Sequence, residues 1–271
     1  MTRNREENGH RRILRDGDLT VLGRIRSASN ATFLCEASLP GLPEGDDPVH
    51  CVYKPVAGEQ PLWDFPDGTL AGREYATYLV SQSLGWNIVP HTIIRDGPAG
   101  PGMLQRWIEQ SEETPELVDL CAAGRLPAGY LPVLQAYDYR GDEVTLIHAD
   151  DLRLRRMAVF DLLVNNADRK GGHILRGLDG GVYGVDHGLC LHTHDKLRTV
   201  LWGWAGKPIA DDMLESVAAL VDALDGEFAQ ELAEHITVAE VAALRRRGAD
   251  MLETPVLPGP DRRRPIPWPA F

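Results

Sequence analysis

Strand-like and helix-like patterns are segregated along this chain, and that order restricts the folds open to it. Short apolar runs of strand character occupy 19–25, 32–37 and 49–55, separated by the polar turn SASN and by a Pro/Gly/Asp-rich stretch over 40–48. They spell an antiparallel meander with one tight turn and one long surface loop. A helix follows, capped by Thr69, running through Glu74, Tyr75, Tyr78 and Leu79 to Ser83 and ended by Gly85. Two more strands, 88–95 and 102–108, are divided by the turn DGPAGPG. The stretch 109–143 is polar and loosely patterned, and the expectation there is brief helices only. From Asp150 the pattern is helical: Leu152, Met157, Val159, Phe160, Leu163 and Val164 mark a buried helix capped by Asp150 or Asp151. Two further helices are expected, one through Ile209, Met213, Val217 and Leu224, the other opened by a Thr237/Glu240 capping box. Strands first and helices later, with a crossover near Ile108, predict a two-lobed α+β protein with a cleft between the lobes. The expected divisions are a loose polar arm over 1–12, an N-terminal lobe over 13–108, a C-terminal lobe over 109–254 and an extended Pro/Arg-rich tail over 255–271.

Composition excludes several classes of partner. The 43% of hydrophobic residues suffices for a sizeable core, and the formal charge of −12 repels phosphate backbones and anionic lipids. Nucleic acid and unaided membrane docking are therefore not expected. No apolar signal core opens the chain and no run approaches the roughly 18 apolar residues of a membrane span, so the expectation is a cytoplasmic protein without stable membrane insertion. Cys35, Cys51, Cys121 and Cys190 are too far apart for a close zinc-binding pair and read as buried thiols. Two basic clusters, 245–247 and 262–264, read as solvated charge.

Two segments carry the chemistry. NNADRKGGHIL (165–175) and YGVDHGLCL (183–191) each run from an apolar element into an acid-bearing turn, and their acids Asp168 and Asp186 lie eighteen positions apart. Phosphoryl transfer needs a cation on the phosphates, a divalent metal bridging them and a base at the acceptor hydroxyl. Lys54, ending a strand in VYKP, is the candidate cation, and Glu74 on the next helix can hold it; a solvent-facing ion pair is the alternative. Asp168 can accept the hydroxyl proton, Lys170 can stabilise the transferring group, and Arg169 can orient the loop or pair with a nearby acid. Asp186, before a glycine, suits a metal carboxylate, helped by His173 or Asn166. The turn GRIRSASN can cover phosphates through Ser27, Ser29 and Asn30. GMLQRWI, with Gln105 and Trp107, is the expected connector beside a nucleotide base, although Trp107 suits a core position equally.

Taken together, VYKP, the helix with Arg73–Glu74 and Tyr78–Leu79, Val89–Pro90, GMLQRWI, 166–175 and VDHGLCL resemble the phosphatidylinositol 3-/4-kinase-like superfamily. The resemblance runs over 19–191, is closest to type II and plant-type phosphatidylinositol 4-kinase relatives in an uncharacterised actinobacterial branch, and extends distantly to HipA-type kinases. It implies a bilobal protein-kinase-like fold, with an N-terminal antiparallel sheet lobe carrying one key helix and a mainly helical C-terminal lobe. It also implies ATP with Mg²⁺ or Mn²⁺, Lys54 on the phosphates, Asp168 as catalytic aspartate and Asp186 as metal aspartate. Such relatives carry Asn where this chain has His173, and an imidazole favours Mn²⁺ or a softer ion over Mg²⁺. The acceptor is a hydroxyl on a lipid, a polyol or a protein side chain. Two other readings stand beside this one: a nucleotide-binding pseudokinase, and a metal-dependent hydrolase built from His173, His187, His192, His194, Asp168 and Asp186.

Overall fold

Period-two alternation in VHCVYKP decides the geometry of the N-terminal half. The computed structural model describes residues 2–26, 28–41, 48–111 and 115–271. Five antiparallel strands, β1 (Asp18–Arg24), β2 (Phe33–Ser38), β3 (Val49–Pro55), β4 (Thr92–Gly97) and β5 (Gly100–Arg106), form one sheet in the order β1-β2-β3-β5-β4. Val49, Cys51 and Tyr53 face one side, where they pack with Cys35, Ala37, Leu104 and two residues of α1 (Thr2–Asp16), Ile13 and Leu14. Alternation therefore turns Val52 and Lys54 to the other side. There α2 (Leu70–Ser83) lies against β4 and β5. Its N-cap is Thr69, whose hydroxyl accepts from the Gly72 amide at 2.9 Å, and Gly85 takes φ +67° just past its end.

The C-terminal half holds a three-stranded sheet of β6 (Val118–Ala122), β7 (Tyr130–Tyr137) and β8 (Glu143–Ala149), in the order β6-β8-β7, and then α3 (Leu152–Val164). A hairpin of β9 (Ile174–Arg176) and β10 (Val182–Gly184) comes next, followed by α4 (Asp211–Ala223), α5 (Glu227–Ala233) and α6 (Val238–Glu253). The central helix is α3: Leu154, Met157, Val159, Phe160, Leu163 and Val164 are at most 0% exposed. Each such side chain stabilises the fold by about 1.5–3 kcal/mol relative to an exposed one. The Thr237/Glu240 capping box is present at the start of α6.

The fold is thus α+β with strands concentrated early and helices late, as the sequence order predicts. Several local expectations are corrected. The segment 1–12, read as a loose arm, is helical from Thr2, because Ile13 and Leu14 at the end of α1 anchor it on the sheet. The segment 109–143, read as brief helices, supplies β6 and β7, with a register shift between Pro132 and Leu134 that obscures the alternation. Three helices, rather than two, follow the DHG segment. Cys121 is half-buried, whereas the other three cysteines are buried. Arg247, read as solvated charge, points inward and donates to the Leu163 and His192 carbonyls at 2.7 and 3.1 Å. The tail is tied down: the Pro265 carbonyl accepts from the Thr199 amide at 3.0 Å and from the Trp202 indole at 2.9 Å. Among the described residues no helix is long and apolar enough to cross a membrane.

Two histidines give the fold a pH dependence. His148 is fully buried, with Nδ1 donating to the Ala149 carbonyl and Nε2 accepting from the Gly203 amide at 3.0 Å, so only the neutral ring satisfies both contacts. Burial pushes its pKa down. Burial, with Arg11 and Arg106 nearby, lowers that of His91 to about 4. The unfolded chain, with histidine near a pKa of about 6.5, binds more protons than the folded one between that value and the depressed values. Stability from these sites is therefore complete above about pH 6.5 and is lost as pH falls toward about 4. The urea midpoint is expected to drop between pH 7.5 and pH 5, and to drop less in His91→Gln; an unchanged midpoint contradicts this account.

Candidate active site

Lys54 reaches two carboxylates from opposite sides. Its Nζ lies 2.6 Å from Glu74 Oε1 on α2 and 2.8 Å from Asp186 Oδ1 in the turn after β10. Glu74 is 3% exposed and Lys54 20%, whereas Asp186 is 50% exposed, so Asp186 is the member open to a ligand. Burial alone depresses the Lys54 pKa, but Asp186 and Glu74 outweigh it and hold the amine protonated, above its ordinary value. Lys54 in turn holds Asp186 well below the usual carboxylate range. Burial raises the Glu74 carboxyl. Asp186 adopts φ +60°, an uncommon backbone for a residue with a side chain, and that turn aims its carboxylate back at Lys54.

The acid-bearing loop begins where α3 ends. Asn165 takes the left-handed conformation at φ +55°, and its carboxamide ties three backbone groups, the carbonyls of His192 and His194 and the amide of Lys196. Asn166 Oδ1 accepts from the Asp168 amide at 2.9 Å and its Nδ2 donates to Asp161 Oδ1 at 3.1 Å. Asp168 is left facing the cleft, 3.3 Å from Lys170 Nζ. Burial raises its pKa, opposed by Lys170 and His173. His173 Nδ1 lies 2.9 Å from the Asp168 carbonyl, which only accepts, so this nitrogen carries the proton. Nε2, 3.4 Å from Asp186 Oδ2, then presents a lone pair beside a carboxylate. Burial lowers the His173 pKa and favours that neutral form.

Lys54, Glu74, Asp168, Lys170, His173 and Asp186 are therefore brought together. Other expected residues are employed elsewhere. Arg169 is fully buried and forms an ion pair with Asp161 of α3, Nη2 to Oδ1 at 2.8 Å and Nε to Oδ2 at 3.0 Å. It also donates to the carbonyls of His173 and Val185 and contacts His187 Nε2 at 2.7 Å, so it fastens both acid-bearing segments without facing the cleft. Gly184 permits this: a Cβ there would lie 2.9 Å from the guanidinium. Asn166 spends its carboxamide on the loop and is not beside Asp186. Asn30 accepts from the Gln60 amide and the Ser29 carbonyl from Gln60 Nε2, so this turn is fastened to the segment after β3. Ser27 lies outside the described residues. Gln105 is buried and donates to Thr92 Oγ1 at 2.9 Å. Trp107 lines a cavity on the connector with His50 and Leu178, apart from the Lys54 group.

One residue escaped the sequence reading, and another was quoted there only for the resemblance, without its role. Asp161 is fully buried and accepts from Arg169, Asn166 and Thr199, the last at 3.0 Å; an acid within the apolar run AVFDLLV was its signal. Arg73, beside Glu74, is buried and pairs with Glu240 of α6 at 2.6 Å. The hydrolase alternative finds no assembly, since among the described residues no three His, Cys, Asp or Glu side chains converge as a metal-binding group.

Fold and site together define a two-lobed α+β protein whose halves meet at a lysine bridging two acids. No family model matches the chain. Protein Rv2133c of Mycobacterium tuberculosis (strain ATCC 25618 / H37Rv) is 68% identical over 267 residues, covering 96% of this chain and 94% of that protein. The chain belongs to the same family as that protein. Among solved structures, similarity is found to hydra Fam20 with sugar, at 14% identity over 89% of this chain and 86% of that one, with TM-score 0.48. The Helicobacter pylori proinflammatory kinase CtkA is similar at 11% identity, over 89% and 93% of the two chains, with TM-score 0.46.

Proposed function

We propose that this chain is an ATP-dependent phosphotransferase of the phosphatidylinositol 3-/4-kinase-like type, moving the γ-phosphate to an alcohol group of a lipid, a polyol or a protein. The observation that carries the reading is the Lys54 bridge: a half-buried, protonated amine fixed by Glu74 and Asp186 at 2.6 and 2.8 Å, with Asp168 in the same cleft. In this reading residues 13–108 bind the nucleotide phosphates and 109–254 supply the catalytic and metal residues.

The proposed roles follow from the chemistry of each group. Lys54 offers positive charge to the phosphates, and Glu74 fixes its direction. Asp168 receives the proton of the acceptor hydroxyl as its oxygen bonds to the γ-phosphorus, while the bond from that phosphorus to the β,γ-bridging oxygen breaks and ADP leaves. Lys170 stabilises charge on the group in transit. The Asp186 carboxylate and the His173 Nε2 lone pair form a mixed oxygen and nitrogen donor pair that suits Mn²⁺, or Mg²⁺ completed by phosphate and water oxygens. Such an ion, when bound, neutralises phosphate charge.

The first test is binding. Wild-type protein is expected to melt at higher temperature with ATP plus Mn²⁺ or Mg²⁺, and Asp186→Ala to lose that metal-dependent shift. Incubation with γ-labelled ATP and separate lipid, polyol and protein acceptors then identifies where the label goes. Absence of any shift in the wild type would overturn the proposal at its first step; a shift without label transfer to any acceptor or to water would mark a nucleotide-binding pseudokinase.

A further inference from the structure

Behind the connector, on the side of α1, lies a concavity of about 50 Å³ whose lining breaks with the character of the chain. The protein has 40 acidic against 28 basic residues, yet none of the ten lining this concavity is acidic. Arg11 and His10 of α1, His91 before β4, and Arg106 at the end of β5 converge there with Tyr78 and Tyr183. Neither arginine has a carboxylate within ion-pair distance among the described residues. The guanidinium of Arg106 lies 5.6 Å from the centre of the Tyr183 ring and donates a long hydrogen bond of 3.5 Å to the Tyr183 hydroxyl. Tyr183 donates that hydroxyl to Asp179 at 2.6 Å, so Asp179 engages the tyrosine. Two cations without a counterion among the described residues leave charge that an anionic ligand can balance.

A second cavity, of about 350 Å³, adjoins the first and shares His10 and Arg106 with it. Trp107, Ile108 and Leu178 give it apolar wall, whereas its acids, Glu109 and Asp179, make it unfavourable for an anion. The two therefore differ in kind: a basic notch the size of one tetrahedral oxyanion, and beside it, across His10 and Arg106, room for an apolar or aromatic body. We propose that they form one binding site for a small phosphorylated molecule, with the phosphate held by Arg11 and Arg106 and the rest of the molecule against Trp107. This site is separate from the Lys54 cleft, none of whose charged residues lines either cavity.

Titration calorimetry on the full chain tests it, with inorganic phosphate and phenyl phosphate as probes at ionic strength held constant with chloride. Both probes are expected to bind, phenyl phosphate several-fold more tightly. Arg11→Ala and Arg106→Ala should each weaken binding by roughly tenfold or more, the loss expected for a charge-assisted contact. Arg11 is exposed on α1, so its variant reads the site without disturbing the core, and Arg245→Ala, on the surface of α6, should bind both probes as the wild type does. Absence of heat with either probe overturns the proposal. So does binding that survives in Arg11→Ala and Arg106→Ala but disappears in Lys54→Ala, which would assign the phosphate to the other cleft. Equal affinity for the two probes would remove the larger cavity from the site.

Discussion

Asp168→Asn is expected to lower phosphate transfer by about 10²–10⁴-fold while leaving metal-dependent ATP binding within a few-fold of wild type. The contrast follows from the geometry. The backbone amide of residue 168 caps on Asn166, and its carbonyl fixes the His173 tautomer. An asparagine preserves both contacts and removes only the proton-accepting carboxylate. Because burial raises the Asp168 pKa, the acidic limb of kcat/KM should lie above the ordinary carboxylate value: activity rises with pH as the group ionises. Disappearance of that limb in Asp168→Asn would assign it to this residue. Equal loss of binding and transfer would instead mean that Asp168 holds the nucleotide.

Asp161→Ala should destabilise the protein by about 3–5 kcal/mol, the cost of leaving the partner of a buried ion pair uncompensated. Arg169 has no exposure through which water could replace Asp161, and the Asn166 and Thr199 contacts are lost with it. The urea midpoint measures the effect. Asp161→Ala/Arg169→Met provides the control, and is expected to be more stable than the sum of the single variants because it removes both charges. Additive losses would show that the pair is not coupled and that the hub is held by its remaining hydrogen bonds.

Legibility of the fold varied with the range of the forces that set each element. β3 could be read because a half-buried strand writes its two faces into alternate positions, and α2 because Thr69 and Gly85 satisfy its ends locally. α1 could not, since two apolar residues near its C-terminus give no period; the sheet beneath them decides its position. β7 was hidden by Pro132 and a register shift. In the site, the gathering of Lys54, Glu74 and Asp186 was legible through their order along the chain, and for Arg169 the pairing with an acid was legible but not its burial or its partner, Asp161 of α3. A basic residue in a turn reads as solvated. What buries it is the left-handed turn at Asn165, which folds the loop back under α3 and brings residue 169 beneath residue 161.

The adjacent residues Arg73 and Glu74 serve opposite halves of the molecule. Glu74 faces the sheet through Lys54, while Arg73 reaches Glu240 of α6 at 2.6 Å, donates to the Cys190 carbonyl at 3.1 Å and lies over the Phe65 ring. Dividing the chain at the connector would strip Arg73 of its carboxylate and leave Glu240, buried at the start of α6, without its cation. The halves are thus not separable modules: neither is expected to be producible alone in native form, and dissection of this protein must proceed by point substitution rather than by truncation.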